Sequence, residues 1–219
     1  VGKQHAKKLV SAGFKTIDDL RSCENIKDHL NDTQLKGLKY FDDIQERIPY
    51  EEIQNTEVKL KDLLKRLDPS AELTIAGSYR RKRPDSGDID LLLKSSSKKT
   101  YDRFIDSLKK SDYLVEDLAR GSKKYMGLGR GVGSLPCRRI DIMYTKPEEY
   151  PFAILYFTGS GDFNVRMRDD ALKQGYTMNE YSIKHSDTKK KVDKIFKTEK
   201  EIFDFLGYEY LEPEKRDRK

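Results

Sequence analysis

The run Ser86-Gly87-Asp88-Ile89-Asp90-Leu91-Leu92-Leu93 limits what this 219-residue chain can fold into more than any other stretch. Side chains of a β-strand alternate between its two faces. Asp88 and Asp90 therefore share one face, while Ile89, Leu91 and Leu93 point to a core on the other. Such a strand needs a sheet that is covered on one side and keeps a polar site on the other. Two carboxylates side by side repel, and a cation between them turns that cost into binding energy. With no His or Cys nearby, the donors are all oxygen and suit a hard ion, Mg²⁺ being the usual partner of phosphate substrates.

Taken alone, Asp-x-Asp also fits a solvated strand edge. Three neighbours argue against that. Gly77-Ser78 offers a flexible backbone and a hydroxyl suited to phosphate oxygens. Arg80, Arg81, Lys82 and Arg83 are too basic a cluster for an ordinary turn, and Ser86-Gly87 places further phosphate donors directly before the carboxylates. A third acid lies in Arg138-Arg139-Ile140-Asp141-Ile142-Met143. By the same alternation Arg139, Asp141 and Met143 share a face while Ile140 and Ile142 are buried. Three carboxylates on adjacent strands suit two ions about 3.5–4 Å apart, the arrangement of in-line phosphoryl transfer.

The surrounding pattern is α+β, in at least three parts. Residues 1–48 read as helical: a helix stopping at Gly13, a short one near Thr16–Arg21 capped by Thr16, and a longer one capped by Asp32 or Thr33. That last helix carries Leu35, Leu38, Phe41, Ile44 and Ile48 at helical spacing until Pro49 ends it. Residues 49–146 hold a helix with Ile53, Leu60 and Leu64, strands at Leu73–Ala76 and Ile89–Leu93, and a helix with Tyr101 and Phe104. Strands follow at Leu114–Leu118, Lys124–Leu128 and Arg138–Tyr144. The Gly-rich loop Gly129–Pro136 reads as a plain connector. Residues 147–219 form a small α+β unit: an apolar stretch Phe152–Thr158, a helix from about Asp162 to Lys173, strands near Tyr176–Met178 and Tyr181–Lys184, and a helix containing Ile202 and Phe203. The Lys189–Lys191 run reads as a solvated loop.

The charge balance, 44 Lys+Arg against 38 Asp+Glu for +6, points toward a polyanionic partner without requiring one. Cys23 and Cys137 lack metal-ligand spacing and read as free thiols in a reducing compartment. No apolar run reaches the roughly 20 residues of a membrane span, and no signal peptide opens the chain. Val1 in place of Met is taken as the mark of a fragment or processed chain. The expectation is an intracellular protein with no membrane partner.

These motifs resemble those of the nucleotidyltransferase superfamily, and more fully the family X DNA polymerases, the beta and lambda members above all. Gly77-Ser-Tyr-Arg-Arg, Ser86-Gly-Asp-Ile-Asp, Arg138-Arg-Ile-Asp, Leu155-Tyr-Phe-Thr-Gly-Ser160, Phe163-Asn, Met167-Arg and Asn179-Glu-Tyr follow the family's order and near its spacing. The resemblance implies a helical duplex-DNA-binding subdomain with a helix-hairpin-helix, a nucleotidyltransferase palm and a subdomain that holds the nascent base pair. It implies two Mg²⁺ ions, with Mn²⁺ able to substitute, bound by Asp88, Asp90 and Asp141. Arg139 matches a residue beside Asp141 and the primer-terminal phosphate. Arg47, Gly77, Ser78, Arg81, Ser86 and Gly87 resemble the triphosphate contacts. Tyr156, Phe157 and Gly159 resemble the segment against the incoming sugar, where bulk disfavours a 2′-hydroxyl; the Gly-Trp pair of template-independent members is missing. Asn164 resembles the reader of the incoming base's minor-groove edge, and Arg168 and Glu180 lie toward the DNA. Such contacts test pair geometry, because minor-groove edges are alike.

At the N-terminus Val1-Gly-Lys-Gln-His resembles the second half of the helix-hairpin-helix, with the backbone N–H groups of Gly2, Gln4 and His5 facing a DNA phosphate. A monovalent cation there is left open, as the hairpin's first half is missing. The family's N-terminal lyase domain is missing too, so no lyase activity is expected of this chain. The resemblance implies template-directed gap filling in base excision repair or end joining. Primer-template or gapped DNA and deoxynucleoside triphosphates would be the partners. A monomer is expected, nuclear if the source is eukaryotic, with a viral source left open; the short Gly129–Pro136 loop supports template dependence. Two other readings stand beside this one. A terminal or RNA-tailing nucleotidyltransferase would share the Gly-Ser and Asp-x-Asp motifs. A non-catalytic basic DNA-binding module would explain the charge but not three acids set in a basic site, which are costly beside DNA phosphates unless metals neutralise them.

Overall fold

The computed structural model describes residues 1–130 and 136–217. The N-terminal unit begins with α1 (Lys3–Ser11), entered through Gly2 in extended conformation. Thr16 caps α2 (Ile17–Arg21) in a reciprocal box with Asp19, as its place before an acid three residues on predicts. The long helix expected up to Ile48 is instead divided. Asn31, not Asp32 or Thr33, caps α3 (Asp32–Lys39), because its side chain and that of Gln34 exchange bonds with each other's backbone N–H. The chain leaves helical geometry at Tyr40 and resumes as α4 (Phe41–Gln45). Leu9, Leu20 and Leu30 form the small core of this unit, with Leu35 and Leu38 against it.

Ile48 is not helical. It lies in a two-residue strand, β1 (Ile48–Pro49), and is buried in the next unit's core beside Ile53 and Ile89. Burying a large side chain is worth about 1.5–3 kcal/mol, more than one further helical residue supplies. α5 (Tyr50–Leu67) then presents Ile53, Thr56, Leu60 and Leu64 inward.

β2 (Glu72–Ile75) leads into a single turn, α6 (Gly77–Arg80), and then β3 (Asp85–Ser86), which pairs with β1. β4 (Ile89–Lys94), α7 (Lys98–Lys110), β5 (Leu114–Arg120), β6 (Lys124–Arg130) and β7 (Cys137–Thr145) complete a five-stranded sheet ordered β2-β4-β7-β6-β5. β4 and β7 run parallel at its centre, and the other pairs are antiparallel. The predicted strands are all present. Residues 131–135 of the Gly129–Pro136 loop, and with them the expectation of a short connector, lie outside the described residues.

The strand alternation divides as read. Ile89, Leu91, Leu93, Ile140 and Ile142 pack with Leu60, Leu64, Phe104 and Leu108 of α5 and α7. On the opposite face Leu92 and Met143 meet Ala153 and Ile154 of α8 (Tyr150–Thr158), the helix made by the apolar stretch Phe152–Thr158. Phe152 and Leu155 of the same helix belong to the C-terminal core, with Phe163, Met167, Ile202 and Phe203. α8 is apolar all round because it is buried from two sides. Its end therefore lies at the junction of two cores, next to the carboxylate face of the sheet.

α9 (Gly161–Lys173), capped by Ser160, is followed by the hairpin β8 (Tyr176–Met178) and β9 (Ile183–His185), and by α10 (Glu199–Phe205), capped by Thr198. The second hairpin strand starts later than the expected Tyr181, because Asn179 accepts bonds from the backbone of Tyr181 and Ser182 and holds them in a turn. A short 3₁₀ turn, Pro213–Lys215, precedes Arg216. The Arg216 side chain is fully buried: it donates to Glu199 at 2.7 Å and to the Leu211 carbonyl, and lies against the rings of Phe163, Phe203 and Tyr210. No helix among the described residues is long and apolar enough to cross a membrane.

Candidate active site

Parallel pairing of β4 with β7 sets Asp90 directly beside Asp141, and Asp88 lies two residues earlier on the same side. Ligand atoms of the three carboxylates all lie within 4.8 Å of one another. Arg139, two residues before Asp141 and on its face, bridges the cluster: its Nη2 is 2.7 Å from Asp88 and 3.0 Å from Asp141. One guanidinium does not balance three acids. Burial, together with the charges of Asp88 and Asp141, pushes the Asp90 carboxyl well above its ordinary value, against the opposing pull of Arg139 and Arg81. Burial raises Asp141 as well, with Arg139 opposing. Asp141 Oδ1 is buried and has no hydrogen-bond partner. A buried acceptor left unsatisfied costs about 1–3 kcal/mol. The site is short of positive charge, and its all-oxygen donors fit divalent cations.

The neighbouring turn is built for close approach. Gly77 has φ +54°, and a Cβ there would overlap the Asp90 carboxylate. It therefore opens α6 rather than closing β2, the one change from the local structure expected of Gly77-Ser78. Ser78 Oγ and the buried Ser86 Oγ are hydrogen-bonded at 2.7 Å. Arg47 is bound to Asp85 through Nε and Nη2 at 2.9 and 2.7 Å, and a Cβ on Gly87 would sit 3.0 Å from its Nη1. These residues thus form one group beside the carboxylates.

An open cavity of about 490 Å³ joins the two sides. Gly77, Ser78, Arg81, Asp88 and Asp90 line one wall; Tyr156, Phe157, Gly159, Asn164 and Arg168 line the other. Thr158, which lies in the quoted Leu155–Ser160 motif without an assigned role, and Gly161 and Val165 line it too. Asn164 donates to the Tyr156 carbonyl at 2.7 Å, which fixes its amide. Arg168 donates to the Met178 carbonyl and lies 5.7 Å from the Tyr156 ring centre. Glu180 is paired with Lys124 at 2.7 Å, and that ammonium also lies over Tyr156. Glu180 is thus linked to the cavity wall through Lys124 and stands near Arg168. Gly2, Gln4 and His5 stand apart from the cavity, at the start of α1. There the Gly2 N-cap supplies no side-chain hydrogen bond, and the His5 ring is engaged by the His29 carbonyl at 3.0 Å.

The basic cluster, too basic for an ordinary turn, is neutralised in part from the C-terminal segment. Arg80 is bound to Glu199 and Thr158, Lys82 to Glu214, and Arg81 and Arg83 both to Asp217. The sequence reading missed Glu199, Glu214 and Asp217. Their separation from the cluster, 119 positions for Glu199 and 136 for Asp217 from Arg81, leaves no local signal.

Three family models match successive segments: the fingers domain of DNA polymerase lambda at residues 1–45, the DNA polymerase beta palm at 47–147 and the DNA polymerase beta thumb at 153–217. Among curated proteins, DNA polymerase lambda of Arabidopsis thaliana is 33 % identical over 239 residues, covering 99 % of this chain and 44 % of the relative. DNA polymerase lambda of Rattus norvegicus is 30 % identical, covering 99 % and 40 %. DNA nucleotidylexotransferase of Xenopus laevis is 26 % identical, covering 99 % and 50 %. The chain spans half or less of the length of these relatives.

Proposed function

The chain belongs to the family X DNA polymerases, and from that premise we propose that it adds deoxynucleotides to a primer 3′-hydroxyl under the direction of a template. Short-gap filling in DNA repair is the task that fits. The observation that carries this reading is the Asp88, Asp90 and Asp141 cluster, short of positive charge, whose Asp88 and Asp90 line a cavity together with Ser78 and Arg81.

Asp88, Asp90 and Asp141 would hold two divalent cations, Mg²⁺ first among them. When bound, these supply Lewis-acid activation of the attacking hydroxyl and neutralise the leaving pyrophosphate. The chain's own residues do the rest. Arg139 holds Asp88 and Asp141 in fixed orientation through one nitrogen, next to where the primer-terminal phosphate would lie. Ser78, Ser86, Gly87, Arg81 and Arg47 bind phosphate oxygens. Tyr156, Phe157 and Gly159 occupy the space that a 2′-hydroxyl would need. Asn164 and Arg168 face the base pair, with Glu180 acting on that wall through Lys124. The uncapped start of α1 offers N–H groups from Gly2, Gln4 and His5 to a DNA phosphate. A helix-hairpin-helix with a monovalent cation is part of the same proposal. A monomeric protein, nuclear in a eukaryotic source, completes it.

Primer extension with Mg²⁺ on gapped and open templates tests the reading, with ribonucleotides run beside deoxynucleotides. Preferential deoxynucleotide insertion opposite the complementary base supports it. Ribonucleotide tailing would favour the terminal or RNA-tailing alternative, and DNA binding with no extension would favour the non-catalytic module.

A further inference from the structure

Arg81 lines the cavity beside Asp90 and Ser78. Its side chain is only 14 % exposed and is held from two flanks: Nε donates to Asp217 Oδ2 at 2.9 Å, and Nη1 donates to the Thr158 carbonyl at 2.5 Å. Arg83 Nε binds the same Asp217 oxygen at 2.6 Å. Burial pushes the Asp217 carboxyl up, but the bonds from Arg81 and Arg83 outweigh it and hold the group below its ordinary value, so it stays ionised. Asp217 is itself held in place. The preceding residue, Arg216, is fully buried on Glu199, and its carbonyl accepts from Ser160, the cap of α9.

A guanidinium carries five N–H donors. Asp217 and Thr158 take one from Nε and one from Nη1, so Nη2 and the second Nη1 hydrogen remain for a ligand. Asp217 therefore does not block Arg81. It takes the Nε flank and leaves the Nη1–Nη2 end for a ligand. Gly159 adds to this, since a Cβ there would press to 3.2 Å from Arg81 Nη1.

We propose that Asp217 is a positioning residue: by binding Nε of Arg81, with Arg83 as a second anchor, it aims the free edge of Arg81 at the phosphates of the incoming nucleotide. The inference rests on the polymerase reading only for the identity of the ligand as a nucleoside triphosphate. A preorganised arginine binds its anion without first losing side-chain freedom. A carboxylate that merely competed for Arg81 would have the opposite effect on affinity.

The test is equilibrium binding of a deoxynucleoside triphosphate with Mg²⁺, together with steady-state insertion on gapped DNA. Asp217→Ala is expected to weaken nucleotide binding and raise KM about 10-fold, with kcat within about 3-fold of the parent. Asp217→Asn keeps an acceptor of the same size and is expected to recover most of that loss. Glu214→Ala, which removes the exposed partner of Lys82 on the same segment, is expected to leave KM unchanged. Nucleotide binding by both Asp217 variants as tight as the parent's, or tighter, overturns the inference. Parent protein that binds nucleotide but inserts none would defeat the polymerase reading and leave the positioning result readable from binding alone.

Discussion

The carboxylate cluster on the sheet and the basic turn Arg80–Arg83 beside it are opposite in charge and balanced differently. On the sheet side three carboxylates share one arginine, Asp90 and Asp141 are pushed up, and Asp141 Oδ1 has no partner. In the adjoining turn every basic residue from Arg80 to Arg83 already has an acid from the C-terminal segment. The difference teaches what each side is for. The carboxylate cluster is short of positive charge as folded and gains from added cations, whereas each residue of the basic turn is held by an acid before any anion arrives, Asp217 serving both Arg81 and Arg83. Asp68 supplies a contrast within one residue type. It receives bonds from Ser70, Ser95 and Thr100, and its carboxyl is held at about 2. A carboxylate supplied with donors is stabilised by the fold, and the site carboxylates are not.

The comparison breaks most directly at Asp141. Asp141→Ala should cut primer extension by about 10³-fold or more while DNA affinity stays within a few-fold, as read by gel shift. Extension near the parent rate in that variant would remove the cation-deficient side from the mechanism. Next in size, Arg81→Ala should lower kcat/KM for nucleotide about 10²-fold, chiefly through KM; an effect confined to kcat would mean that the arginine side does not bind the ligand's ground state.

Smaller effects appear in stability. Without metal, Asp90→Asn removes one of three repelling acids and should raise stability on the order of 1 kcal/mol, a few degrees in Tm. Added Mg²⁺ should raise the parent's Tm and move the variant's far less. A variant that melts lower than the parent would show that the carboxylates are not strained. The smallest effect belongs to Asp68. Its pKa is depressed on folding, so its stabilisation is fully present above the unfolded value of 3.8 and is lost as pH falls toward about 2. Denaturant melts between those limits should lose on the order of 1 kcal/mol in the parent, and Asp68→Asn should be flat over the same window.

The site was legible in the sequence where it rests on local geometry. Strand alternation places Asp88, Asp90, Arg139 and Asp141 without knowledge of the rest of the chain, and Thr16 announces its helix by the acid three residues on. Ile48 was misjudged because its helical spacing is real but its burial against Ile53 and Ile89 is a long-range gain. The partners of Arg80–Arg83 were illegible for the same reason. Glu199, Glu214 and Asp217 carry no local signal of these partners, and the buried Arg216, bound to Glu199, fixes the segment that brings them there.

The central claim is most directly tested by single-nucleotide insertion into a one-nucleotide gap with Mg²⁺, varying the templating base. The account predicts insertion of the complementary deoxynucleotide, lost when Mg²⁺ is chelated and lost in Asp141→Ala. Insertion indifferent to the templating base, or no insertion at any Mg²⁺ concentration by the folded chain, would contradict it.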